Sequence, residues 1–200
     1  MAQSAQNVAR HVILTGPPGI GKTTLIHKVC GSLKEASIPT QGFYTEEVRA
    51  GGKRTGFDVV TLDGQRAPLA RVGSDTSHGG REYRVGQYSV ELKSFEQTAL
   101  PVLSLKKMES GHYPVFVIDE VGKMEMFSKS FIQAVGKTLS AAKTTVLATI
   151  PIPKGRPIPF VEEIRARKDA VVFTVSRENR DALLAEVFQA VKDSYKTFGS

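Results

Sequence analysis

The chain has 200 residues, with 27 Lys and Arg against 20 Asp and Glu, a formal net charge of +7, and 40% hydrophobic residues. Those proportions fit one folded globular domain over 1–200 and exclude a low-complexity disordered chain. The single cysteine, Cys30, excludes an internal disulfide framework and a multi-cysteine zinc site, and suits a reducing compartment.

No apolar stretch approaches the roughly 20 residues that cross a bilayer, and the opening MAQSAQNVAR lacks the basic start and apolar centre of a secretory signal. The expectations are no membrane association, a monomer, and a cytoplasmic location, with the nucleus left open. The cations are scattered: RAGGKR (49–54) and RARK (165–168) are short and have acids nearby. A basic solvated surface that attracts anionic nucleotides is therefore expected rather than a nucleic-acid interface.

In chain order, HVILTG (11–16) is a β-branched apolar run closed by glycine, the pattern of a buried strand. After the glycine-rich turn, Leu25, Ile26, Val29, Cys30 and Leu33 recur at helical spacing. Residues from about 41 to 92 change character, with short β-rich runs separated by glycine pairs and a D-G turn. They read as a hairpin or meander, inserted or added at a sheet edge. The pattern then predicts a helix over about 94–109, kinked or restarted at Pro101. A buried strand follows in YPVFVIDE (113–120), then a helix over about 128–140 and a strand at TTVLATI (144–150). A short helix near 160–167, a strand at 170–175 and a helix over about 178–194 complete the chain. Strands alternating with helices define an α/β fold with a mostly parallel sheet flanked by helices.

Gly16, Pro17, Pro18, Gly19, Ile20, Gly21, Lys22 and Thr23 fill the pattern G-x-x-x-x-G-K-[ST], between a strand and a helix as that motif requires. The glycines let successive N–H groups turn toward phosphate oxygens, and the helix N-terminus adds its positive dipole end. Lys22 is placed for the β- and γ-phosphates and the Thr23 hydroxyl for Mg²⁺, while Thr24 reaches the α-phosphate side. A second constellation closes the strand VFVIDE. Asp119 is placed to reach Mg²⁺ through water beside Thr23, and Glu120 to orient or deprotonate a water for in-line attack.

Four other residues have two readings each. Thr149 is a γ-phosphate sensor if its strand lies between the P-loop strand and the Asp119 strand, and otherwise a strand-end threonine. Arg81 and Arg84 are lid cations for the transition state or solvated surface, and Lys123 approaches the phosphates or faces solvent. The four histidines, His11, His27, His78 and His112, have no metal-ligand spacing, and Cys30 reads as core.

With both motifs in view, the chain resembles the cancer-related nucleoside-triphosphatase family of small stand-alone P-loop NTPases. The stretches that carry the resemblance include HVILTGPPGIGKTTLIHK, GFYTEEVR, REYRVGQY, VIDEVGKME and VEEIRARKD, spanning His11 to about Asp169. The resemblance implies a RecA-like α/β domain and slow, Mg²⁺-dependent hydrolysis of several nucleoside triphosphates to diphosphate and phosphate. It carries the nucleotide-binding stretch onto Gly16–Thr23, and the Mg²⁺ and water-activating carboxylates onto Asp119 and Glu120. The rivals are a nucleotide or small-molecule kinase, with an acceptor bound by the 41–92 region, and a nucleotide-dependent RNA- or protein-binding switch. No N-K-x-D motif is present to read guanine, so broad base tolerance is expected.

Overall fold

In the computed structural model, residues 8–73 and 83–199 are described. The first unit is strand β1 (His11–Gly16), a glycine loop and helix α1 (Lys22–Glu35). Strands β2 (Thr40–Ala50), β3 (Lys53–Thr61), β4 (Arg66–Val72), β5 (Arg84–Val85) and β6 (Tyr88–Val90) follow. Helix α2 (Leu92–Ala99), β7 (Val115–Ile118), α3 (Lys129–Ser140), β8 (Thr145–Pro151), α4 (Pro159–Arg165), β9 (Ala170–Thr174) and α5 (Leu183–Phe198) complete the chain.

The strands form one sheet in the order β5-β6-β4-β3-β2-β7-β8-β1-β9. The pairings β2–β7, β7–β8, β8–β1 and β1–β9 are parallel, whereas β2–β3, β3–β4, β4–β6 and β5–β6 are antiparallel. The sheet is thus mixed: a parallel half around β1 is extended from β2 by the antiparallel strands expected over 41–92. Strand β2 belongs to both halves. Its first residues, Thr40–Phe43, pair with β7, and Phe43 onward pairs with β3.

Residues of the central strands alternate between two cores, because successive side chains of a strand point to opposite faces. Val12, Leu14, Val115, Val117 and Leu147 pack with Leu25, Ile26, Val29 and Leu33 of α1 and with Val187 and Val191 of α5. Ile13, Phe116, Ile118, Val146 and Ala148 face the other way, toward α2, α3 and α4. There Phe43, Phe95 and Phe131 meet edge to face with ring centroids 5.1–5.9 Å apart. Both faces of the parallel strands are covered, which is why their sequences are nearly continuously apolar.

The helix expected over 94–109 is shorter. α2 ends at Ala99, and a single 3-10 turn runs from Pro101 to Leu103. Pro101 has no N–H to continue the helical ladder, and Ser104 turns extended at φ −66°, ψ 127°. The last helix is displaced relative to 178–194: residues 177–182 form turns, and α5 continues to Phe198. α3 begins as its sequence indicates, with Ser128 Oγ accepting from Phe131 N–H as N-cap.

His11 is fully buried at the start of β1. Its Nε2–H donates to Leu139 O at 3.0 Å while Nδ1 accepts from Val146 N–H at 3.2 Å, so the ring is held as one neutral tautomer. Burial is the main reason its pKa falls to about 4, despite the opposing Leu139 bond and the charge of Asp169.

Candidate active site

The site forms where the parallel strands end. β1 delivers Gly16 so close to the chain just after β9 that a Cβ there would stand 2.6 Å from Val175 O. The loop then needs left-handed backbone at Gly19 (φ 72°) and Gly21 (φ 110°), which glycine adopts without steric cost. Ile20 is the buried residue of the loop and anchors it in the core beneath α1. Gly21 is the N-cap of α1 and offers no side-chain cap, so the first N–H groups of the helix are available to an anion.

Lys22 is 8% exposed, and its Nζ donates to Gly16 O at 3.0 Å and Pro17 O at 3.4 Å. The same Nζ lies 3.7 Å from Glu120 Oε2. Thr23 Oγ1 donates to Asp119 Oδ2 at 2.6 Å, across 96 residues of sequence. Asp119 follows the last residue of β7, with its N–H donating to Phe43 O at 3.2 Å. Its carboxylate is 1% exposed, and its second oxygen accepts from the Thr149 hydroxyl. Burial pushes the Asp119 pKa up, while the bonds from Thr149 and Thr23 and the charge of Lys22 pull it down. Burial likewise raises Glu120, against the attraction of Lys22.

Thr149 is on β8, which lies between β1 and β7 as the sensor reading requires; here its hydroxyl is engaged by Asp119. Thr24 and Lys123 both line the cleft above the loop. Arg84 is on β5 and is not among the cleft residues, and Arg81 lies outside the described residues.

The cleft is a cavity of about 540 Å³ that reaches from the glycine loop to the antiparallel half of the sheet. Its far wall includes Thr45 and Glu47 of β2, Arg54 and Phe57 of β3 and Leu69 of β4, while the segment from Pro151 to Glu162 closes one side. Arg54 donates to Glu47 Oε1 at 2.6 Å and to Tyr88 OH at 3.0 Å, with its guanidinium 5.2 Å from the Phe57 ring centre. Lys154 and Arg156 are exposed on the loop after β8. Glu125, 4% exposed, also lines the cavity. None of these was singled out from sequence. Arg54, Lys154 and Arg156 belong to no spacing motif, and the burial of Glu125 depends on packing that the string VGKME does not reveal.

Asp119 and Thr23 present adjoining hard oxygen donors beside the anion-binding loop, the donor chemistry of a small divalent cation. Among the described residues there is no group of three or more His, Cys, Asp or Glu that could hold a metal.

A glycine loop between a buried strand and a helix, with a carboxylate delivered from a nearby parallel strand, defines a P-loop nucleotide-binding protein. Comparison with known proteins agrees. The chain is 60% identical to the human cancer-related nucleoside-triphosphatase over 190 residues, which covers 94% of this chain and 100% of that protein. The solution structure of a human cancer-related nucleoside triphosphatase superposes with a TM-score of 0.81, covering 93% of this chain and 99% of the other. The crystal structure of THEP1 from Aquifex aeolicus, 34% identical, superposes at 0.73 and covers 91% and 99%. A family model described as NTPase matches residues 11–188, and the chain belongs to that NTPase family.

Proposed function

We propose that the chain hydrolyses nucleoside triphosphates to the diphosphate and phosphate, with Mg²⁺ as the divalent cation and without strong selection of the base. The observation that carries this reading is the convergence of Lys22, Thr23, Asp119 and Glu120 in one cleft, with Thr23 2.6 Å from Asp119 and Lys22 3.7 Å from Glu120. The names of the relatives, cancer-related nucleoside-triphosphatase and nucleoside-triphosphatase THEP1, support the same chemistry.

Backbone N–H groups of Gly19, Gly21 and Lys22 hold the phosphate oxygens, Pro17 and Pro18 having none to give, and Lys22 exchanges its carbonyl partners, Gly16 and Pro17, for the β- and γ-phosphates. Thr23 and Asp119 would hold the divalent cation, which would supply positive charge against the phosphates. Glu120, half-buried at the cleft, accepts a proton as water oxygen attacks the γ-phosphorus. The bond from that phosphorus to the β–γ bridging oxygen breaks, and its electrons leave with the diphosphate. Pro18, Gly19, Gly21, Thr24 and the further cation Lys123 line the cleft beside them, and Pro17 and buried Ile20 complete the loop that shapes the cradle. Among the described residues no helix is long and apolar enough to cross a membrane; the single cysteine suits a reducing compartment, the cytoplasm in our reading.

The test is single-turnover phosphate release from γ-labelled ATP and GTP, without an acceptor, by the parent and Glu120→Gln. Parent release with either base, slowed about 10²–10⁴-fold in the variant at similar nucleotide affinity, is the expected result. Release that requires an added acceptor overturns the hydrolase reading in favour of a kinase, and release that requires RNA favours the switch.

A further inference from the structure

We propose that Glu125 is the positioning residue for Glu120, its buried carboxyl bracing the turn after β7 so that the Glu120 carboxylate faces the attacking water. The assignment rests on the hydrolytic reading of the cleft given above.

Glu125 opens a 3-10 turn, Glu125–Phe127, and its side chain folds back along the chain instead of out to solvent. Its Oε2 accepts from Gly122 N–H at 3.1 Å, while Gly122 O accepts from Met126 N–H at 3.2 Å and Glu125 O from Ser128 N–H at 3.0 Å. Carboxyl and backbone therefore close the same turn from both sides. Upstream, Val121 N–H donates to Thr149 O at 2.9 Å, which ties that turn to β8. Glu120 lies directly before both anchors, one residue ahead of Val121 and two ahead of Gly122.

Gly122 shows how closely the two acids meet. A Cβ built there would stand 2.7 Å from Glu120 Oε1 and 3.1 Å from Glu125 Oε2. Both carboxyls border the space that a side chain at Gly122 would enter, so one there would have to displace them, and both line the same cavity. The other oxygen of Glu120, Oε2, faces Lys22 Nζ at 3.7 Å. Once Lys22 turns to the phosphates, that contact weakens, and the side of Glu120 toward Gly122 and Glu125 is the one that remains fixed.

A second carboxylate beside Glu120 would repel it, but Glu125 is held as a neutral acid. Burial, reinforced by the charges of Glu120 and Asp119, pushes it up to about 8. Near neutral pH it carries a proton and so adds no negative charge where phosphate must bind.

The experiment compares Glu125→Ala, Glu125→Gln and Gly122→Ala with the parent and with Glu120→Gln, reading kcat, KM and Mg²⁺-dependent nucleotide Kd, with thermal midpoints as the folding check. Glu125→Ala is expected to lower kcat by about 10²-fold with KM and Kd within about twofold, since binding groups are untouched and only alignment is lost. Glu125→Gln, which keeps an acceptor for Gly122 N–H and a donor, is expected to recover kcat to within about tenfold of the parent. Gly122→Ala is expected to lower kcat without raising KM, by driving the two carboxyls apart, and it decides the question if Glu125→Ala does not fold. Parent-like kcat in folded Glu125→Ala or Gly122→Ala overturns the proposal. So does a Gln variant as impaired as Ala, or a joint loss of kcat and affinity, which marks a merely structural role. Parent-like turnover in Glu120→Gln instead brings down the water-activation reading, so the two failures are distinguishable.

Discussion

Replacing Thr149 by Val isolates the support that β8 gives to Asp119. The substitution keeps the β-branched shape on a fully buried strand position but removes the hydroxyl that donates to one Asp119 oxygen. Thr23 would then be the remaining side-chain donor to that carboxylate, at 2.6 Å on the other oxygen. A hydrogen bond to a charged group contributes about 1.5–3 kcal/mol, and its loss disfavours the ionised form. At about 1.4 kcal/mol per factor of ten, divalent-cation affinity in the nucleotide complex should fall roughly 10- to 100-fold. Turnover measured against Mg²⁺ concentration should require correspondingly more cation, and kcat at saturation should change less than the half-saturation point. Thr149→Ser, which keeps the hydroxyl, should stay near the parent. An unshifted Mg²⁺ curve in Thr149→Val would refute the idea that this bond tunes Asp119.

Three further outcomes follow from the geometry. Lys22→Ala should weaken triphosphate binding and remove most turnover in a phosphate-release assay, because the buried cation beside Gly16 and Glu120 is lost. Gly42→Ala should destabilise the fold by several kcal/mol in urea unfolding, since φ is +142° and a Cβ would overlap the Val117 carbonyl on the adjacent strand. His11 should make stability fall with acid. Its ordinary pKa of 6.5 drops to about 4 in the fold, so the unfolded chain binds the extra proton between those values. The contribution is fully present above 6.5, is lost as pH falls toward 4, and amounts to about 3 kcal/mol. Urea unfolding of the parent and His11→Gln between pH 4.5 and 7 should show the smaller pH slope in the variant.

Local sequence was enough for much of the catalytic end. HVILTGPPGIGKTT specifies strand, glycine loop and helix within a few residues of one another, because the loop demands glycine at Gly19 and Gly21 and the flanks demand burial. VFVIDE places two acids at a strand end for the same local reason. The helix expected over 94–109 breaks at Pro101, as its sequence allows, but stops at Leu103, because apolar spacing continues past Pro101 whereas the backbone ladder does not.

What the sequence by itself determined is the set of elements, the phosphate loop and the carboxylates that face it. The partners of those groups were decided by tertiary structure alone. Strand order placed β8 between β1 and β7 and so brought Thr149 onto Asp119. The antiparallel extension from β2 set Arg54 and Phe57 as the far wall of the cleft. Packing of the turn after β7 buried Glu125 against Gly122. The physical reason is the range of the interactions. Strand and turn preferences act over a few residues, but sheet order and the burial of a charged group depend on contacts between segments far apart in the chain, which no local pattern encodes.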